Sequence, residues 1–243
     1  MLKELLDIKK LGVSGIKLEY ESEFYDEQSA YELAELVHRV GLNLCIKLGG
    51  FSSIQDLHMC KKLCANTIVA PMIESGYAVE KFLHCVNQIY RKAYPELLLN
   101  IESKAAFENL DEIFECSGDK ISGFVIGRSD LKRALNIENP DDERILECCI
   151  KLSRICNEKG KIFIIGGKIN GKSLDFISKI PYLTAVETRK VIFDISALNE
   201  KNIEEFLKFE LKVLKFKKNL YKEDIERIKF IENSLNEKEL VVN

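Results

Sequence analysis

Short, nearly continuous apolar runs alternate with amphipathic stretches through the first four-fifths of this chain, and that alternation constrains its fold more than any other feature. Strand segments are read at 15–21, 42–48, 67–73, 97–102, 122–127, 161–165 and 183–187. Because they are apolar throughout rather than every second residue, both of their faces must be covered, as in a parallel sheet wrapped by helices or closed into a barrel. Between them lie helical stretches such as 29–40 and 142–158, and Gly12, Gly41, Gly118 and Gly160 stand where a glycine ends a helix. Strand, helix, strand at this rhythm implies right-handed crossovers and an α/β fold, a TIM-type β/α barrel. Such a barrel closes with eight strands. The pattern supplies seven, so either the usual first strand is lacking or another segment fills its place.

Past Asp194 the pattern becomes a long helical C-terminal extension. Ile203, Phe206, Leu207, Phe209, Leu211, Leu214 and Phe216 form a wide apolar stripe over 202–220, a second helix covers 222–235, and the end frays at 241–243. The stripe must pack, either on its own barrel or on a neighbouring subunit. The expected division is a barrel domain over 1–200 and a helical extension over 201–243. A hydrophobic content of 46% suits one sizeable core, and a net charge of -3 leaves no basic excess for a phosphate backbone, so nucleic acid is not an expected partner. The first ten residues mix charge with apolar positions at helical spacing, which is neither a signal peptide nor a membrane span. A cytoplasmic protein without a membrane partner is expected. The eight cysteines contain no Cys-x-x-Cys pair and the three histidines fall on predicted helices, which argues for reduced, mainly buried thiols and against zinc.

Chemistry in a barrel sits at the carboxyl ends of the strands, and two acids stand out there. Glu102 ends the run Leu97-Leu98-Leu99-Asn100-Ile101, and Asp130 follows Phe124-Val125-Ile126-Gly127-Arg128-Ser129. A carboxylate leaving a buried strand is costly unless it binds something. Oxygen ligands from two rigid elements suit Mg²⁺ or Mn²⁺, with Co²⁺ also accommodated. Such an ion can hold a 2-keto acid and stabilise its enolate. The alternative is that both acids cap helices. Gly127, Arg128 and Ser129 are substrate-binding candidates, with backbone N–H groups near Ser129 available to a ligand carboxylate if the turn opens a helix. Glu19 and Glu21, at the end of the first strand, are catalytic candidates or solvated charges, and Glu23 is read as solvated. Lys47, inside an apolar strand, must pair with acids or bind substrate, and both roles are compatible. Arg189 could grip a carboxylate or phosphate, or pair with Glu187 or another acid. Glu74 is read as opening the next helix, and Gly166-Gly167 as a turn or a place of close ligand approach.

These segments together resemble the HpcH/HpaI aldolase and citrate lyase family over about 12–194. Ile101-Glu102-Ser103 with Ala105-Ala106 and Asn109-Leu110-Asp111 is similar to the family's metal-binding Glu segment, Gly127-Arg128-Ser129-Asp130-Leu131 to its Gly-x-x-Asp-Leu segment, and Val69-Ala70-Pro71-Met72-Ile73-Glu74 also matches. The resemblance implies a metal-dependent barrel with Glu102 and Asp130 as ligands, acting on a small 2-keto acid or, in the lyase branch, an acyl-CoA. It also implies a homo-oligomer through exchanged C-terminal helices. Departures stand beside it: Glu19-Tyr20-Glu21-Ser22 replaces the aldolases' Asp-x-Glu-His, so Ser22 stands where their basic His is. Lys61 falls at the partner aspartate, Lys47 at the pyruvate-binding Arg, and Arg128 at a Pro. The expectation is a metal-dependent carbon–carbon lyase or aldolase whose base is Glu19, Glu21 or a water on the metal. The alternatives are an acyl-CoA or phosphorylated-acid lyase or hydrolase, with Arg128 and Arg189 as anion grips, and a catalytically silent ligand-binding or scaffold barrel.

Overall fold

The computed structural model describes residues 1–21, 23, 26–91, 93–216 and 220–236; Ser22 and 241–243 lie outside them. Its sheet is a closed barrel of β1 (Val13–Glu19), β2 (Asn43–Lys47), β3 (Thr67–Ala70), β4 (Glu96–Asn100), β5 (Gly123–Gly127), β6 (Ile162–Gly166), β7 (Ala185–Glu187) and β8 (Val191–Asp194). The first seven are the segments read from the sequence, each parallel to the next. The gap is filled by β8, which runs antiparallel to both β7 and β1. An antiparallel return needs only a tight turn where a parallel one needs a crossover helix. Here Thr188 makes the turn: its amide donates to the Val191 carbonyl at 2.8 Å, and its hydroxyl accepts from the amides of Lys190 at 3.3 Å and Val191 at 3.1 Å.

Around the barrel run α1 (Leu2–Lys10), α2 (Glu27–Arg39), α3 (Ile54–Lys62), α4 (Gly76–Tyr90), α5 (Lys104–Glu108), α6 (Leu110–Ser117), α7 (Arg128–Ala134), α8 (Glu143–Glu158) and α9 (Leu174–Ser178), followed by α10 (Glu200–Phe216) and α11 (Lys222–Asn236). Serine caps start three of them: Ser53, Ser75 and Ser103 accept from the amides of Asp56, Ala78 and Ala106. The cap of α4 is thus Ser75, one residue beyond the expected Glu74. No helix among the described residues is long and apolar enough to cross a membrane.

Two apolar zones result. The larger lies between barrel and helices; the smaller fills the barrel interior with Cys45, Val69, Leu98, Val125, Ile164, Ala185 and Ile192, one side chain from each of β2 to β8. At β1 the register position is Gly15, where a Cβ would stand 3.1 Å from the Asn43 carbonyl oxygen. The extension packs on its own barrel in this chain. Ile203, Phe206, Leu207, Phe209 and Leu214 of α10 are buried in the larger zone, and Phe206 meets Phe193 of β8 with ring centroids 4.7 Å apart. Glu210, fully buried on α10, takes two hydrogen bonds from Arg227 of α11, at 2.5 and 3.1 Å.

Phe193→Ala should lower stability by about 3–5 kcal/mol in urea unfolding, because the ring joins the closing strand to α10. For Glu210, burial would raise the carboxyl's pKa, but Arg227 and the Thr188 hydroxyl outweigh burial and hold it below the ordinary range. Its contribution is therefore present above about pH 4.3, the ordinary glutamate value, and is lost as pH falls through the lower folded value. The urea midpoint of the wild type should fall more steeply than that of Glu210→Gln between about pH 5 and 3.

Candidate active site

Side chains on a strand alternate in direction, so residues two places beyond the apolar interior ring point into the barrel again, at its carboxyl end. Those residues are polar or minimal: Lys17, Lys47, Asn100, Gly127 and Glu187, with Glu19 beyond Lys17. Together they line a cavity of about 340 Å³ at the mouth of the barrel.

Lys47 is at its centre. Its Nζ lies 2.5 Å from Glu21, 3.7 Å from Glu19 and 3.8 Å from Glu102, while Lys17 binds Glu187 at 2.5 Å. Unpaired, each buried ion would cost several kcal/mol, so the layer stands only as a set of opposed charges. Burial pushes the Lys47 ammonium toward a lower pKa, but Glu102, Glu19 and Glu21 overcome that and hold it above the usual lysine range. Burial also opposes ionisation of Glu19, yet Lys17 and Lys47, helped by Arg189 and Lys190, hold its carboxyl at about 2. Glu102 behaves oppositely. Burial raises it to about 7 against the pull of Lys47, and the carboxylates of Asp130 and Glu21 push the same way.

Glu102 is braced on both oxygens. The Met72 amide donates to Oε1 at 3.2 Å and Asn100 Nδ2 donates to Oε2 at 2.6 Å. Glycine at 127 makes room for it, since a Cβ there would stand 2.8 Å from Oε2. The Asn100 Oδ1 is buried without a hydrogen-bond partner among the described residues. Asp130, on the first turn of α7, lines the same cavity beside Ser129 and holds exposed Arg133 at 2.5 Å. No group of three or more His, Cys, Asp or Glu in metal-ligating arrangement occurs among the described residues. The donor set is therefore two carboxylates and an amide oxygen. These hard ligands fit a divalent ion that keeps several waters and takes substrate oxygens, as Mg²⁺ and Mn²⁺ do. The raised Glu102 carboxyl and the orphaned Asn100 oxygen are both conditions that a cation would relieve.

Several expected residues lie elsewhere. Glu21 touches Lys47 but does not line the cavity. Glu23, read as solvated, is buried and paired with Arg189 at 2.5 Å and with Lys190. The turn after β7 brings both cations down onto it. Arg189 does reach the cavity, and also donates to the Glu223 carbonyl at 3.3 Å. Arg128 departs from the anion-gripping role. It is fully buried outside the cavity lining, donates to the carbonyls of Gly166 at 3.2 Å and Gly167 at 2.7 Å, pairs with Asp141 and covers the Phe176 ring at 4.9 Å. At Gly166 a Cβ would stand 2.7 Å from Glu187, while Gly167, where φ is +89° and a Cβ would stand 2.7 Å from the Ser129 amide, lines the cavity.

Other lining residues were missed. Asn100 sits two residues before Glu102, a spacing that places both near one strand end and could have flagged it. Lys17 stands in an apolar run as Lys47 does. Glu223, Glu226, Arg227 and Phe230 of α11 also line the cavity, and nothing local to that segment pointed to a barrel mouth.

Residues 29–166 match the HpcH/HpaI aldolase/citrate lyase family. A 2-keto-3-deoxy-L-rhamnonate aldolase of Salmonella paratyphi A is 32% identical over 109 residues, covering 40% of this chain and 40% of that protein; the Salmonella typhimurium enzyme of the same name is 31% identical over the same length. The match thus spans about 40% of the length of these curated relatives. Among solved structures, an HpcH/HpaI aldolase from Desulfitobacterium hafniense superposes with a TM-score of 0.64 at 13% identity, over 91% of this chain and 90% of that one. The citrate synthase SbnG superposes with a TM-score of 0.61 at 13% identity, over 88% and 89% of the two chains. These likenesses carry the fold.

Arg128→Met should cost about 3–5 kcal/mol in urea unfolding, since it strands Asp141 and two carbonyls. A loss below about 1 kcal/mol would show that the guanidinium is dispensable to the fold.

Proposed function

Because the chain belongs to the HpcH/HpaI aldolase/citrate lyase family, we propose that it is a metal-assisted carbon–carbon lyase cleaving a small 2-keto acid by retro-aldol chemistry. The observation that carries this reading is buried Glu102, its carboxyl raised to about 7, beside the unpartnered Asn100 oxygen and in one cavity with Asp130. The names of the Salmonella relatives point to a 2-keto-3-deoxy sugar acid as the substrate class.

Glu102 and Asp130 would hold Mg²⁺ or Mn²⁺, with Asn100 Oδ1 as a further donor. The ion would supply electrostatic stabilisation for charge developing on the keto oxygen. Lys47, held as an ammonium by its three carboxylates, keeps Glu19, Glu21 and Glu102 together at the barrel mouth, and they already offset its charge. The same pairing keeps it from acting as an amine nucleophile, so lysine–imine chemistry is not assigned to it. Glu19, at about 2, is too weak a base to take a hydroxyl proton near neutrality, and its role is to hold Lys17 and Lys47 as cations. Glu21, with 28% of its side chain exposed but outside the cavity lining, is assigned as proton acceptor through one bridging water. It takes the proton of the hydroxyl on the carbon beyond the bond to be broken. The bond's electron pair then passes into the keto acid, an aldehyde leaves, and the returning proton on the methylene carbon gives pyruvate.

The acyl-CoA and phosphorylated-acid alternatives lose support, because Arg128 is committed to carbonyls and Asp141 and Arg189 to Glu23. The depressed Glu19 carboxyl favours a second reading, a barrel that binds 2-keto acids without turning them over.

Pyruvate release from 2-keto-3-deoxy acids, tested with Mg²⁺, Mn²⁺ and Co²⁺, should fall by about a hundredfold or more in Glu102→Gln and Asp130→Asn. Glu21→Gln should lower kcat by about a hundredfold while oxalate binding persists. Activity surviving both ligand substitutions would end the metal assignment. Metal-dependent oxalate binding without turnover of any substrate would establish the silent barrel instead.

A further inference from the structure

The outer wall of the cavity is one face of α11. Glu223, Glu226, Arg227 and Phe230, at helical spacing, line it, while Asp224 and Ile231 on another side of the helix are buried. A helix serving only as a strap would turn apolar side chains to the barrel; this one turns three charges and an aromatic ring to the cavity.

Arg227 is the most constrained of the four. Its side chain is 9% exposed, its Nε and Nη2 bind fully buried Glu210, and its guanidinium lies 4.8 Å from the Phe230 ring centroid. Among the described residues its Nη1 has no hydrogen-bond partner. A fixed donor is therefore left over on a cavity wall, and Glu210 already offsets its charge. Arg189 shares the Glu23 carboxylate with Lys190. Lys168, exposed and 6.0 Å from the Phe230 ring centroid, is the remaining cation of this wall, which also carries the carboxylates of Glu223 and Glu226. Arg189, Lys190, Arg227 and Lys168 thus meet Glu23, Glu210, Glu223 and Glu226, four cations against four carboxylates, and no excess positive charge awaits an anion at this end.

We propose that α11 reads the far end of the substrate and selects a neutral, hydroxyl-bearing chain over an anionic one. This rests on the aldolase reading and adds to it the residues that determine specificity. A hydroxyl both donates and accepts, so it can satisfy the Arg227 donor and the Glu223 or Glu226 acceptors together. A terminal phosphate would accept from Arg227 but meet the two carboxylates with like charge. Phe230 offers an apolar face to the carbon skeleton between the hydroxyls.

The test compares a 2-keto-3-deoxyhexonate with its terminal phosphate ester, with Mn²⁺ present. Pyruvate release is followed beside the exchange of pyruvate methyl protons with solvent deuterium, which uses only the inner end of the cavity. The wild type should favour the hydroxylated acid in kcat/KM. Arg227→Met and Phe230→Ala should raise KM for it by about ten- to a hundredfold, well beyond any change in KM for pyruvate exchange. Glu223→Gln/Glu226→Gln, on exposed positions, should shift preference toward the phosphate ester. A wild-type preference for the phosphate ester overturns the inference, as does an equal effect of the substitutions on both reactions. If wild type gives neither metal-dependent exchange nor pyruvate release, the aldolase reading falls and this inference with it. Intact exchange without chain discrimination removes this inference alone.

Discussion

One buried ammonium organises the mouth of this barrel. Lys47 stands among Glu19, Glu21 and Glu102, and its charge can be tolerated there only because they surround it. The dependence runs both ways. Lys47 helps keep Glu19 ionised, while Glu102, deeper among other carboxylates, is still pushed up to about 7. One neighbourhood thus holds a committed carboxylate and one that another cation would relieve, and the difference comes from which charges each side chain faces rather than from residue type.

The closing strand governs what else reaches that mouth. Because β8 returns antiparallel, three residues, 188–190, turn the chain at the carboxyl edge of the barrel. A parallel connection would have left that edge for a crossover helix. The turn instead drops Arg189 and Lys190 onto Glu23, and Thr188 lends its hydroxyl to Glu210 of α10. Through Glu210 the turn is linked to Arg227, and so to the helix forming the outer wall. Closure of the sheet and completion of the cavity are consequences of one short hairpin.

Much of the fold was legible because both-face burial requires unbroken apolar runs and crossover helices require amphipathic ones. Seven strands stand where those patterns lie. Val191–Asp194 escaped because it is four residues long, ends in Asp, and follows the polar turn Thr188-Arg189-Lys190 with no helix between. Glu102 and Asp130 were visible as acids at strand ends, and they do share one cavity. Arg128 misled: next to Ser129 and Asp130 in sequence, its side chain turns away from the cavity and is consumed by the carbonyls of Gly166 and Gly167 and by Asp141. Glu23 misled in the other direction, since its two cations lie on a turn more than a hundred residues away.

What the sequence by itself determined is the layered α/β architecture and the polarity of each strand end, because burial on both faces and the two-residue period are local properties of the chain. What only the tertiary structure decided is which charges meet. The pairing of Lys47 with three carboxylates, the unpartnered oxygen of Asn100, the antiparallel closure and the α11 wall all join segments far apart in the chain. Electrostatic energies depend on distance and burial, and neither is written in residue order.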